Sequence, residues 1–287
     1  MKTNILDSVG MFLLRESFTI KFLTRTCFDL VARKGTNVLL IKILEDANSI
    51  SQEYAEQMKN IGSHIDAIPL IITEKAGQAL EKNIVYSRYG IYTLNFVTFK
   101  NSLHGKFPFI RRTKAGLTAN LIGNKLKQMR EHEGFSLQSL AQKIGVSRRM
   151  IQKYESGMSE IRIQKALRIY DVFGANVFDK INIFSHKKGV HQEPLSDISK
   201  RYTQLGFNAI DTKKVPFDII AKKEKDIILT EVGDKDPKPM TSLSRLLDAN
   251  NLVIFKKKKP KDIPALTKKE FLDFEKANEL IKFLKEY

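Results

Sequence analysis

The sequence predicts a multidomain protein, α/β plus all-α, in which a central helical bundle stands between two related α/β units. Two observations carry that reading. Residues 121–183 keep apolar positions at helical spacing, interrupted by capping residues and glycines. The segment CFDLVARKGTNVLLIKIL (27–44) also aligns without a gap on PFDIIAKKEKDIILTEVG (216–233). Asp29 then meets Asp218, Ala32 meets Ala221, and Arg33-Lys34 meets Lys222-Lys223. Each copy shares the order helix, hairpin, helix, strand, which points to duplication of one α/β unit.

The first block covers residues 1–105. A helix near 3–15 precedes strand-like FTIKFL (18–23), CFDLVAR (27–33) and NVLLIKIL (37–44), with Lys34-Gly35-Thr36 as the turn. ISQEYAEQMKNIG (50–62) has helical spacing, with Ser51 as N-cap and Gly62 past the end, and AIPLII (67–72) reads as a buried strand. Residues 106–120 are a basic linker or a small hairpin. The second block, 121–183, reads as helical throughout, and 185–194 as a polar linker. The third block, 195–287, opens with a helix stopped by Gly206. Strands at 215–222 and 226–233, a helix near 240–249 and the strand NLVIF (251–255) follow. The tail from Thr267 is one helix, opened by a capping box with Glu270.

Charge narrows the class of partner. Against 32 Asp and Glu stand 49 Lys and Arg, a net +17, which favours nucleic acid first and an anionic membrane surface second. The single cysteine, Cys27, excludes a disulfide framework and fits a reducing cytosol as a buried small hydrophobe. Apolar runs are too short for a membrane span, and the N-terminus lacks a signal-peptide pattern, so the expected location is cytoplasmic. The histidines at 64, 104, 132, 186 and 191 show no metal-ligand spacing, and no phosphate-cradling glycine loop is present; neither metal nor cofactor is expected. The run KKKKPK (256–261) reads as a solvated loop, with DNA phosphates as the alternative partner.

In the middle block, Ile122, Leu126 and Met129 give the first helix an apolar face. Ser136 caps a second helix whose Leu137, Leu140, Ala141 and Ile144 face inward. Gly145 supplies the left-handed residue after its last turn, and Ser147 caps a third helix, SRRMIQKYE. A last helix is expected to bury Ile163, Ala166, Leu167, Tyr170 and Phe173. Two helices crossing closely need a small residue at the contact (Ala141), a tight turn (Gly145) and a branched plug in the angle (Ile151). With these on the page, SLQSLAQKIGVSRRMIQKYESG resembles the Cro and phage-repressor (Xre) helix-turn-helix family over about 60 residues. The resemblance implies an ion pair between Arg130 of the first helix and Glu155 at the end of the third.

The same resemblance implies a helix in the DNA major groove, starting at Ser147. Arg148 and Arg149 are then the expected base readers, with Lys153 one turn along, because arginine can bond guanine O6 and N7 bidentately. Gln138, Ser147 and Gln152 are expected at phosphates, setting register. Over 114–183, twelve Lys and Arg against six Asp and Glu agree with an anionic partner.

The repeated unit resembles the PD-(D/E)xK, restriction-endonuclease-like fold, which needs two carboxylates on a divalent metal and a lysine to steer water. Asp29 and Lys42 are present in the first half, but Leu40 takes the second carboxylate's place. The second half has Asp218 and Glu231, with Leu229 at the Leu40 position and no lysine at the required spacing. Both halves therefore read as degenerate, with Asp29 and Asp218 bonding within their hairpins and Lys42 solvated. The whole layout resembles a family of archaeal helix-turn-helix regulatory proteins. It implies a cytoplasmic transcription regulator; the incomplete carboxylate sets point away from an enzyme, and the usual need for two half-sites points to a homodimer on a double-stranded DNA operator. The alternative is a metal-dependent nuclease or junction-binding enzyme built on the flanking units.

Overall fold

The computed structural model describes residues 2–185 and 193–286. His186, His191 and most of the expected 185–194 linker lie outside the described residues. Residues up to 71 join those from 185 onward in one compact unit, and residues 72–184 form a second.

In the first unit the two copies of the repeat match strand for strand. Thr19–Phe22, Leu30–Lys34 and Asn37–Ile43 form an antiparallel meander. Asn208–Asp211, Ile219–Lys223 and Asp226–Val232 form another. Under the alignment of Asp29 with Asp218 the bounds of all three strands coincide. Asn208–Asp211 is not among the expected strands, because its four residues begin and end on polar side chains. The following strand starts at Ile219 rather than 215, after Pro216, which has no amide to give a ladder. Asn250–Phe255 and Ala265–Thr267 extend the second sheet in parallel; Ala67–Ile72 lies beside Asn37–Ile43 in the first.

Helices Lys2–Arg15 and Asp197–Gln204 precede the two meanders, and Gln52–His64 and Lys238–Leu247 follow them. Ser51 caps its helix as expected, accepting from the Tyr54 amide. Gly62 does not end that helix, which runs on to His64 before Asp66 turns left-handed. Gly62 is instead a close-approach residue, since a Cβ there would stand 2.7 Å from the Ala67 carbonyl oxygen. The tail is two helices, Lys268–Leu272 and Ala277–Lys285, not one. The Thr267–Glu270 capping box is present, and the break frees the Phe274 carbonyl to accept from Arg201 at 2.5 Å. Tyr202, Phe271, Ile228, Leu252 and Leu280 fill the core of the second copy. Full burial of such a side chain contributes roughly 1.5–3 kcal/mol.

The two copies pack on each other through reciprocal contacts. Arg33 reaches Asp248 and donates to the Leu246 carbonyl at 2.9 Å. Lys222, its aligned counterpart, reaches Asp66. Asp66 and Asp248 both follow the connecting helices, each with φ 52°. Equivalent residues contacting each other's copies mark an approximate two-fold relation. At its centre the Cys27 amide donates to the Lys214 carbonyl at 2.8 Å. The matching bond cannot form, because Cys27 aligns with Pro216.

In the second unit the strand order is Ile91–Leu94, Ile84–Arg88, Ile110–Thr113, Gly116–Ala119, Ile161–Arg162. Residues 106–120 thus contain a hairpin, and its Ala119 and Phe109 pack into the helical bundle's core. The bundle is not helical throughout: Ile161–Arg162 pairs with Thr118 and Ala119. The last helix, Ile163–Phe173, buries Ala166, Ile169 and Phe173, while Leu167 and Tyr170 are exposed. Ile122 is likewise exposed, sitting at the N-cap position rather than on the buried face. The expected face is kept at Ala166 and Phe173 and runs through Ile169 rather than through Leu167 and Tyr170.

Candidate nucleic-acid interface

Each helix of the bundle is placed by a local device and then locked by a long-range one. Ser136 accepts from the Ser139 amide at 3.0 Å and opens Leu137–Ile144. Gly145 closes it with φ 73° and donates its amide to the Ala141 carbonyl at 2.9 Å. The carbonyls left free at that end are taken from the last helix. Arg168 donates to Ile144 at 3.0 Å and Lys165 to Gly145 at 2.8 Å. This turn needs glycine for its φ of 73°; a Cβ there would also meet the Arg168 guanidinium at 2.5 Å, the mobile end of a long side chain.

Ser147 accepts from the Met150 amide at 3.2 Å and opens Arg148–Glu155. Ile151 and Tyr154 are buried against Leu140, Ala141 and Leu126, as the spacing requires. Arg148, Arg149, Gln152 and Lys153 all lie on the exposed face of the same helix. Gln138 is exposed near the start of the preceding helix, and the Ser147 hydroxyl is exposed although it serves as a cap.

Arg130 and Glu155 fix the angle between the first and third helices. The guanidinium donates to both carboxylate oxygens, at 2.5 and 3.2 Å, and also to the Phe135 carbonyl at 2.9 Å. Both side chains are about nine-tenths buried, at 8% and 10% exposure. The Glu155 hydrogen bond raises the Arg130 pKa further, so the cation is permanent. Gly123 is a residue the sequence reading missed. A Cβ there would lie 2.2 Å from the Glu155 carbonyl oxygen, so the first helix crosses the third at backbone contact. Its only signal was a lone glycine opening an amphipathic helix.

The nuclease-like positions form two further clusters. Asp29 accepts from the Ile43 amide at 2.8 Å, and Asp218 from the Val232 amide at 2.8 Å, the same bond in both copies. Lys42 is not solvated as expected. It is buried, and bonds Asp29 at 3.2 Å and the Thr26 carbonyl at 2.9 Å. In the second copy Glu231 replaces that lysine and is buried with Oε1 unpartnered, and burial pushes its pKa up. Asp218 takes its ammonium from Lys235 instead, at 2.7 and 2.9 Å. Both copies thus neutralise the same aspartate from different chain positions. Among the described residues no group of three or more His, Cys, Asp or Glu could hold a metal ion. The backbone amides of Lys256, Lys257 and Lys258 close around Asp234, leaving the side chains of that basic run exposed. No helix among the described residues is long and apolar enough to cross a membrane.

These features define a helix-turn-helix protein with an attached PD-(D/E)xK-type unit, and comparison with known families agrees. Residues 126–178 match the family model described as helix-turn-helix, and residues 2–108 that of the PD-(D/E)XK superfamily domain. A "Putative HTH-type transcriptional regulatory protein" of Methanocaldococcus jannaschii is 33% identical, covering 92% of this chain and 90% of its own length. Namesakes from Archaeoglobus fulgidus and Thermococcus gammatolerans are 30% and 25% identical, covering 100% and 99% of this chain and 98% and 96% of their own lengths. The chain belongs to this family of archaeal HTH-type transcriptional regulatory proteins. No solved structure matches it.

Proposed function

We propose that this protein is a sequence-specific transcription regulator that reads duplex DNA with helix Arg148–Glu155. One observation carries the reading. Arg148, Arg149, Gln152 and Lys153 share an exposed face, while the opposite face is fixed in the core and by Arg130. A rigid helix presenting arginines from its first turn suits major-groove readout, with Arg148, Arg149 and Lys153 at base edges. Gln138, Ser147 and Gln152 set register at phosphates. The relatives' names, as HTH-type transcriptional regulatory proteins, support the regulatory role. Two half-sites need two such helices, so the acting species is a cytoplasmic homodimer. The division into degenerate nuclease-like units over 1–105 and 195–287, a hairpin linker at 106–120 and a reader over 121–183 belongs to the same proposal. With Leu40 and Leu229 at the second-carboxylate positions, the flanking units serve as scaffold rather than catalyst.

The test is selection of a preferred duplex from a random pool, followed by shift assays at fixed salt. Arg148→Ala and Arg149→Ala are each expected to weaken the selected duplex by about 1–3 kcal/mol and relax base preference. Gln138→Ala should weaken all duplexes alike. Wild-type binding and preference by both arginine variants would overturn the assignment. Magnesium- or manganese-dependent cleavage of supercoiled or branched DNA, lost in Asp218→Ala, would establish the nuclease alternative instead.

A further inference from the structure

Within the first unit, the loops following the two opening strands meet at the approximate two-fold. Arg25 aligns with Lys214, and both adopt left-handed backbone, with φ 58° and 57°. Between these loops and the start of helix Lys238–Leu247 lies a cleft of about 500 Å³, a volume typical of small-molecule sites. Lys21, Arg25, Lys214 and Lys238 line it, and no aspartate or glutamate does. Among the described residues, none of these four side chains has a hydrogen-bond or ion-pair partner, although the protein has 32 carboxylate side chains. Four cations lining one cleft that no carboxylate lines give it a positive potential that favours an anionic ligand.

The rest of the wall is mixed, with Phe22, Leu23, Val215, Pro216 and Pro239 beside the hydroxyls of Thr24, Thr26 and Ser242. Phe22 is 44% exposed and lines the same cleft as the four cations. An aromatic face next to clustered ammonium and guanidinium groups suits a ligand with a flat apolar part and a polyanionic part. We propose that this cleft binds a phosphorylated small molecule of the nucleotide class, with phosphates among Lys21, Arg25, Lys214 and Lys238 and the base against Phe22. The site is made jointly by the two copies of the repeat and is independent of the helix-turn-helix reading.

The experiment is calorimetric titration of the full chain at fixed ionic strength with ADP, pyrophosphate and adenosine. ADP and pyrophosphate are expected to bind, ADP the more tightly, and adenosine not. The double variant Arg25→Asn with Lys214→Asn should weaken ADP at least tenfold. Asparagine removes the charge yet accepts left-handed backbone, which protects the fold. Should that variant misfold by circular dichroism, Lys21→Gln with Lys238→Gln makes the same test. Phe22→Ser should bring ADP down to the affinity of pyrophosphate. Absence of heat with both ADP and pyrophosphate at millimolar concentration overturns the proposal, as does unchanged ADP affinity in the charge variants. A non-specific duplex that loses affinity in those variants, while ADP does not bind, would assign the cleft to DNA backbone and overturn it equally.

Discussion

Arg130 donates to both carboxylate oxygens of Glu155 across 25 residues of sequence, in a setting where both side chains are about nine-tenths buried. Removing Glu155 leaves the buried guanidinium with only the Phe135 carbonyl and the more exposed Glu131, which is the costly way to break a buried pair. Glu155→Ala is therefore expected to destabilise the helical bundle by about 3–5 kcal/mol. Glu131 also bonds Arg130, but it is 54% exposed, and Glu131→Ala should cost less than about 1 kcal/mol. Denaturant titration of the two variants checks the contrast; equal losses would mean the pair is not the brace described.

Gly123 governs the same crossing from the backbone side. A methyl group there meets the carbonyls of Glu155 and Tyr154, which cannot give way as a side chain would. Gly123→Ala should cost on the order of 1–3 kcal/mol. It should also tilt helix Arg148–Glu155 and so weaken any duplex binding more than stability alone accounts for. Thermal unfolding and shift assays run side by side would separate the two effects.

Glu231 gives a pH signature. Burial raises its pKa, with Lys235 opposing and Asp218 adding to the rise. A pKa higher in the folded state means stability is fullest below the unfolded value, about 4.3. That stability is lost as pH climbs through the folded value. Glu231→Gln removes the ionisation, so the variant should be more stable than the native protein at neutral pH. The difference should vanish in acid below the unfolded value. Urea midpoints measured across that range would show it; a variant less stable at neutral pH would mean the carboxylate has a favourable partner.

Cys27 is fully buried, and burial pushes its thiol up to about 12, against the pull of nearby Lys42. The thiolate is the reactive species, so native protein should resist a thiol reagent at pH 8 and react only once unfolded. Stoichiometric labelling of the folded chain on the timescale of free cysteine would contradict this.

Features set by near neighbours were legible in the sequence. Ser51, Ser136, Ser147 and Thr267 each cap the helix they precede, and Gly145 ends one, because those bonds span two to four residues. The gapless repeat gave strand bounds that coincide in the two copies. What eluded the sequence depended on distant partners. The last helix buries Ile169 and leaves Leu167 and Tyr170 exposed, a choice of face that spacing alone does not fix. Lys42 read as solvated because nothing local shows that Thr26 and Asp29 converge on its ammonium. Lys235 substitutes for it in the second copy from a loop outside the motif, so motif spacing could not find it. On helix Arg148–Glu155 the exposed candidates lie where the helical period puts them, since a surface face follows from local geometry once the buried face is known.

The missing amide at Pro216 has a wider consequence. Two separate, identical chains meeting on an axis must carry every substitution twice, so neither side of the junction can change alone. Joining both copies in one polypeptide lifts that constraint: Cys27 keeps its hydrogen bond while Pro216 forgoes one, and Lys42 and Glu231 have taken opposite charges at a shared position. Within one chain the matched positions can thus differ chemically while the strand bounds of the two copies still coincide.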